Sequence, residues 1–360
     1  MGTVSRLRPL LAAIAAAAVL AACSSTPDAP PAPGASATTA PTGASAAPSA
    51  GPSAGTGGYP DPMPLTGDLD AVHDPSMVRA PDGTYLLYST GDNIQIRTSK
   101  DRVAFTRAGS VWPDGAPWTE PFTNPADRAA LWAPDISYHN GKFYLYYSAS
   151  SFGSRNSAIF LATSTTGLSG SWTDLGKVWQ TKRDSDYNAI DPNLIVDESG
   201  AWWMSFGSFW GGLKMIRIDP ATGKQDPQDK KLYSLATRPR SVDGAIEAPY
   251  IVFNSGYYYL FASFDACCRG TSSTYRTMVG RAKAITGPYV DRDGKEMTEG
   301  GGTEVLASHG GIVGPGHPAV LKDGSDWVLI YHYYYDDLTP TTGKLAMNLL
   351  DWADGWPVAR

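Results

Sequence analysis

Asp191-Pro-Asn-Leu-Ile-Val196, followed by Gly200-Ala-Trp-Trp-Met-Ser-Phe206, sets a polar residue and a proline before a short apolar run, a glycine turn and an aromatic-rich run. Apolar runs of this length bounded by turn residues read as buried strands, and the glycine between them as a hairpin turn. The same form occurs four more times. It is found at His73-Asp-Pro-Ser-Met-Val with Gly83-Thr-Tyr-Leu-Leu-Tyr88, and at Ala133-Pro-Asp-Ile with Gly141-Lys-Phe-Tyr-Leu-Tyr-Tyr147. It returns at Ala248-Pro-Tyr-Ile-Val with Gly256-Tyr-Tyr-Tyr-Leu-Phe261, and at His317-Pro-Ala-Val-Leu with Gly324-Ser-Asp-Trp-Val-Leu-Ile-Tyr331. Their prolines, Pro75, Pro134, Pro192, Pro249 and Pro318, are 59, 58, 57 and 69 residues apart. Third strands are expected at 94–98, 159–164, 213–218, 278–282 and 345–350, each followed by a fourth. Four short strands per unit describe a propeller blade, and five units predict an all-β chain folded as a five-bladed β-propeller. A β-sandwich is the alternative, but it gives no reason for a period near 58.

The rest of the chain is organised around these repeats. All 11 Trp, 19 Tyr and 10 Phe lie beyond residue 58. Before it, Arg6 and Arg8 precede an apolar run, Leu10 to Ala22, that ends Leu20-Ala-Ala-Cys23. A positive start, a short apolar stretch and small residues before the cut describe an export signal, too short to span a membrane. Residues 1–22 are therefore read as a lipoprotein-type signal peptide, because the ending resembles the bacterial lipobox. Cys23 would then carry the lipid and hold the protein at a membrane surface. Ordinary cleavage near an alanine, with Cys23 incidental and the protein released, is the alternative.

Residues 23–60 are read as a tether, since Ser24 to Gly58 is Pro, Ala, Ser, Thr and Gly except for Asp28. Such a segment cannot bury enough apolar area to fold, and would reach roughly 30 Å as a coil or about 100 Å as polyproline. Residues 61–360 form the propeller, expected to act as a monomer. The net charge of −6 becomes −8 without Arg6 and Arg8, and no basic stripe is left for phosphates. Nucleic acid is excluded as a partner, and a neutral ligand fits better. No organic cofactor is expected.

In a propeller the first strand of each blade lines the central channel. That position holds Asp74 in blade one, Asp191 in blade three and His317 in blade five, with Glu247 two residues before the proline of blade four. Asp135 follows the proline of blade two and is expected to be a buried hydrogen-bonding residue. Isolated Asp-Pro pairs usually cap turns, which is the reading for Asp61, Asp219 and Asp226. Three carboxylates gathered at one axis desolvate and repel one another, so their equivalent placement points to use. Cleaving a glycosidic bond needs one carboxylic acid to protonate the leaving oxygen and one carboxylate to activate water or attack. A third carboxylate keeps the acid protonated by repulsion.

An ordered set of motifs sharpens this. His73-Asp-Pro-Ser76, Ala130-Leu-Trp-Ala-Pro-Asp135, Tyr187-Asn-Ala-Ile-Asp-Pro192 and Ala245-Ile-Glu-Ala-Pro-Tyr250 come first. Phe264-Asp-Ala-Cys-Cys-Arg-Gly270 with Ser273-Thr-Tyr275, Gly314-Pro-Gly-His317 and Trp352-Ala-Asp-Gly-Trp356 follow. Together they resemble glycoside hydrolase family 43, and within it the endo-α-1,5-L-arabinanases. The resemblance implies hydrolysis of plant cell-wall arabinan or arabino-oligosaccharides with inversion, with Asp74 as general base, Glu247 as general acid and Asp191 tuning the acid. It also implies sugar contacts at Trp132, Phe152, Asn188 and Ser208, and a metal, usually calcium, facing His317 in the channel. Pro318 stands where many arabinanases have Asn, a departure at the metal site.

Three alternatives stay open: an exo-acting relative, one acting on arabinoxylan or xylo-oligosaccharides, and a non-catalytic sugar-binding propeller lipoprotein. Cys267 and Cys268 are read either as a vicinal disulfide or as two buried thiols. His73 is expected to help orient Asp74, and His139, His309 and His332 to be incidental.

Overall fold

The computed structural model describes residues 58–335 and 343–360. The expected signal peptide, Cys23 and nearly all of the tether lie outside the described residues. Strands group into five sheets of consecutive strands, as the repeats predict. Blade one runs Ser76–Arg79, Tyr85–Ser89, Gln95–Ser99 and Ala104–Ser110; blade two runs Trp132–His139, Lys142–Ala149, Ala158–Ser164 and Thr173–Gln180. Blade three has Asn193–Val196, Trp202–Phe206 and Leu213–Asp219, with both Lys224–Gln225 and Tyr233–Ala236 on the last of these. Blade four is Ile246–Asn254, Tyr257–Phe264, Arg276–Ala282 and Thr303–Leu306. Blade five is Val313–Asp323, Asp326–Tyr334, Lys344–Ala353 and Trp356–Ala359. The first strands of neighbouring blades pack against each other around the ring, blade five meeting blade one. The chain is a five-bladed β-propeller.

The second strands are mostly apolar because both of their faces are covered. In blade one, Leu86 and Tyr88 pack toward blade two, while Tyr85 and Leu87 pack toward blade five. Each of the five junctions holds its own apolar cluster in this way. A fully buried side chain of this size contributes about 1.5–3 kcal/mol, so alternation along one strand ties a blade to both neighbours. Polar clips recur at the same places. Tyr146 donates to the carbonyl of Gly223 in blade three at 2.7 Å, and Tyr259 to that of Gly355 in blade five at 2.6 Å. Gly223 has φ +68°, and a Cβ there would lie 2.5 Å from Leu161, so the turn needs glycine.

The ring is closed by the segment before blade one. Met63 N–H donates to Met347 O, Val72 N–H to Gly343 O, and Leu345 N–H to Leu69 O at 2.8–3.0 Å, laying this segment along blade five. Tyr59 and Pro60, expected in the tether, are already packed. The Tyr59 hydroxyl donates to Glu304, and Pro60 O pairs with His309 Nε2 at 3.0 Å. Asp219 and Asp226 accept backbone N–H groups two residues on, as turn caps do. The expected third strands are present, except that Ile94 precedes its strand with φ +66°.

Candidate active site

The residue before each of the five prolines has a left-handed backbone: Asp74 at φ +51°, Ala133 at +45°, Asp191 at +57°, Ala248 at +56° and His317 at +52°. Non-glycine residues rarely sit there, at a cost of about 1–3 kcal/mol each. In blades two, four and five the register shifts across this pair, so it acts as a β-bulge that re-aims the chain at the axis. Each strained N–H is held by the preceding blade. Ala133 N–H donates to Thr90 Oγ1 at 2.8 Å, Asp191 N–H to Ser148 Oγ at 3.0 Å, and Ala248 N–H to Asp191 Oδ2 at 3.1 Å. His317 N–H donates to Ser263 Oγ at 2.7 Å and Asp74 N–H to His332 Nδ1 at 3.1 Å.

Above this ring lies a cleft of about 870 Å³ that gathers Asp74, Asp191, Glu247 and His317 with Trp132, Phe152, Asn188 and Ser208. Every site residue expected within the described residues is therefore on one surface. Asp74 is buried, and its carboxylate accepts from His73 Nδ1 at 2.7 Å, His317 Nδ1 at 2.9 Å and Thr90 Oγ1. Burial works to raise its pKa, but His317 and His73 hold it well below the usual carboxylate range. Glu247 accepts from the Tyr275 hydroxyl at 2.8 Å and from Ser208 Oγ at 3.1 Å. Burial raises its pKa, with Asp74 adding to the effect and Tyr275 and His317 opposing it. Asp191 is pushed well above its usual value by burial, Glu247 and Asp74, against His317. His317 is raised to about 9, because Asp74, Asp191 and Glu247 outweigh the burial that would lower it.

Asp135 is buried as expected, accepting from Leu194 N–H at 2.7 Å and Asn193 Nδ2 at 3.2 Å, and it stitches blade two to blade three. Ser208, expected on the sugar, lines the cleft and donates its hydroxyl to Glu247. Asn188 is buried on the cleft surface, and its Oδ1 has no partner among the described residues. Trp132 and Phe152 meet edge-on at 5.7 Å, with Phe152 75% exposed.

Other groups were not foreseen. Phe209 and Trp210 line the cleft with φ +51° and +40°, and Arg155 stacks 5.3 Å from the Trp210 ring. His332 is not incidental: it is wholly buried beneath Asp74 and stacks on His73 at 3.8 Å. A histidine inside an aromatic-rich strand carries no pattern that separates this role from packing. Cys267 and Cys268 form a vicinal disulfide on the cleft wall.

One carboxyl group shifted down and two shifted up, side by side under an aromatic-walled cleft, suit proton transfer to and from an acetal rather than capture of a charged ligand. That chemistry is the province of a glycoside hydrolase. Comparison with known proteins leads to the same class. Residues 70–357 match the profile of Glycosyl hydrolases family 43. The extracellular endo-α-(1→5)-L-arabinanase 1 of Bacillus subtilis is 42% identical over 292 residues, 80% of this chain and 87% of the relative. The extracellular exo-α-(1→5)-L-arabinofuranosidase ArbA of Cellvibrio japonicus is 42% identical over 302 residues, 79% of this chain and 85% of the relative. The solved endo-arabinanase of Bacillus licheniformis superposes with a TM-score of 0.74 at 42% identity, covering 82% of this chain and 99% of that one. The chain belongs to glycosyl hydrolase family 43.

Proposed function

We propose that the protein is an exported arabinanase that cuts internal α-1,5-L-arabinofuranosyl bonds of arabinan in a single inverting displacement. Asp74, shifted toward its ionised form, draws a proton from the attacking water, and Glu247, shifted toward its protonated form, gives one to the leaving oxygen. Asp191, its own carboxyl pushed well above the usual range by burial and Glu247, holds Ala248 N–H with its Oδ2 and so positions the acid. The observation that carries this reading is that Asp74 and Glu247 face one cleft with their pKa values shifted in opposite directions, Asp74 down by His317 and His73 and Glu247 up by burial. Trp132, Phe152, Phe209 and Trp210 offer ring faces for sugar C–H groups, and Asn188 an amide for a hydroxyl.

The family implies a metal at His317. Asp74 occupies Nδ1, which leaves Nε2 as the ring nitrogen an ion would hold by displacing its proton, and a carboxylate on the far nitrogen is the usual support for a metal-bound histidine. The donor set fits an ion that keeps mostly water ligands. A cation there would add positive charge beside Asp74 and Asp191. His73, Asp74 and His332 also come close enough together to hold a metal. However, His332 Nδ1 already accepts from Asp74 N–H, and His73 Nδ1 pairs with the carboxylate.

Lipidation at Cys23, a tether between it and Tyr59, and a monomeric state complete the proposal, placing the propeller at the cell surface. Both kinds of arabinan-cleaving relative are equally similar, so product profiling on linear debranched arabinan is the deciding experiment. Early release of mixed oligosaccharides is expected; arabinose alone would overturn endo action, and no release at all would overturn hydrolysis.

A further inference from the structure

The groups beneath Asp74 constrain one another's protons. A backbone N–H can only donate, so the bond from Asp74 N–H puts a lone pair on His332 Nδ1. The neutral ring then carries its proton on Nε2, which lies 3.0 Å from the Tyr334 hydroxyl and donates to it. Cys268 N–H donates to the same oxygen at 3.0 Å, from a residue locked in the vicinal disulfide with φ +65°. Both lone pairs of that oxygen are thus taken. The phenolic hydrogen goes to His73 Nε2 at 2.9 Å, a nearer and stronger acceptor than the disulfide sulfur of Cys268 at 3.7 Å. His73 must therefore carry its proton on Nδ1, facing Asp74 Oδ1 at 2.7 Å.

We propose that Tyr334 is a positioning residue for the reaction, fixing His73 as the Nδ1–H tautomer that holds the Asp74 carboxylate in place. The two stacked histidines carry opposite tautomers, and the loop bearing the disulfide completes the set by occupying the second acceptor site on Tyr334. Burial and the neighbouring His73 keep His332 well below the usual histidine range, as its acceptor role requires. The proposal rests on Asp74 acting as the base, but its first test involves no substrate.

Long-range ¹H–¹⁵N correlation on the full-length protein labelled at its imidazole nitrogens reads each tautomer directly, with His73→Gln and His332→Gln supplying the assignments. The expected result is a proton on Nδ1 of His73 and on Nε2 of His332. A proton on Nε2 of His73 would overturn the proposal without any variant being needed. In Tyr334→Phe, His73 loses its Nε2 donor and is held by Asp74 alone, so its Nδ1–H tautomer should lose population, whereas His332, still fixed by Asp74 N–H, should not change. Its kcat should fall roughly tenfold, equivalent to about 1.4 kcal/mol, with KM little changed. A folded Tyr334→Phe with His73 unaltered, or with kcat unaltered, overturns the positioning role. Full turnover by Asp74→Asn would remove the base assignment while leaving the tautomer result standing.

Discussion

The backbone N–H of Asp74 donates to Nδ1 of His332, 258 positions further along the chain and 3.1 Å away. This bond closes a ring in which every pre-proline residue is left-handed and every one has its N–H held by the blade before it. The strain thus sits where neighbouring blades over-determine the backbone, which is the condition for strain to persist. Ala133 and Ala248 occupy the two ring positions without a functional side chain, so they isolate the backbone term. Ala248→Gly should be neutral or stabilising by under about 1 kcal/mol, the relief of left-handed strain offsetting glycine's greater chain entropy. Ala248→Val should destabilise by about 1–3 kcal/mol, because β-branching worsens the strain and the site is buried. Urea midpoints at constant slope measure both; equal effects would show that the ring carries no strain.

Asp74→Asn and Glu247→Gln test the chemistry with the fold held constant. Asn tolerates the left-handed backbone that Asp74 needs, and Gln keeps the shape that Tyr275 and Ser208 contact. Each should lower kcat by about 10²–10⁴-fold or more, the range of a lost general acid or base. Thermal midpoints should stay near that of the parent. Near-normal rates in both variants would remove the assignment.

The acid's environment sets a pH dependence whose sign can be worked out. The Tyr275 hydroxyl donates to Glu247 Oε1, favouring the ionised form and opposing the upward push of burial. Activity needs protonated Glu247, so it is lost as pH rises through that pKa. Tyr275→Phe removes the donor, raises the pKa further and should move the alkaline limb of kcat/KM to higher pH. A limb that moves down, or stays, would mean that Glu247 is not the titrating acid.

The propeller was legible because the repeat is written in residues whose physics is local: proline, turn glycine, and strands covered on both faces. Asp74, Asp191 and His317 were legible because each occupies the same repeat position. Glu247 lies one residue off that position, and only its nearness to Pro249 pointed to it. His332, Tyr334, Thr90 and Ser148 were not legible, since their partners lie in another blade and no spacing rule connects them. Phe209 and Trp210 were hidden for a different reason. Their exposure depends on left-handed backbones in a loop, whereas their sequence context reads as one more buried aromatic pair.

The vicinal disulfide yields the last prediction. Cys267 and Cys268 are half-buried on the cleft wall, and the loop carrying them is pinned on both sides. Asp265 pairs with Arg238 and Arg276, and Arg269 N–H donates to Ser273 Oγ at 3.0 Å. Between those anchors, the bond between adjacent sulfurs is what keeps Cys268 N–H on Tyr334. A thiol titration of the denatured, unreduced protein should find no thiol from this pair, so a Cys23→Ser form should give none; two would show that the cysteines are free. A water-soluble phosphine should convert the disulfide to two thiols, the phosphine being oxidised to its oxide. Because the anchors remain, the fold should survive while kcat falls several-fold, and reoxidation should restore it. An unchanged rate after complete reduction would show that the anchors alone hold the loop.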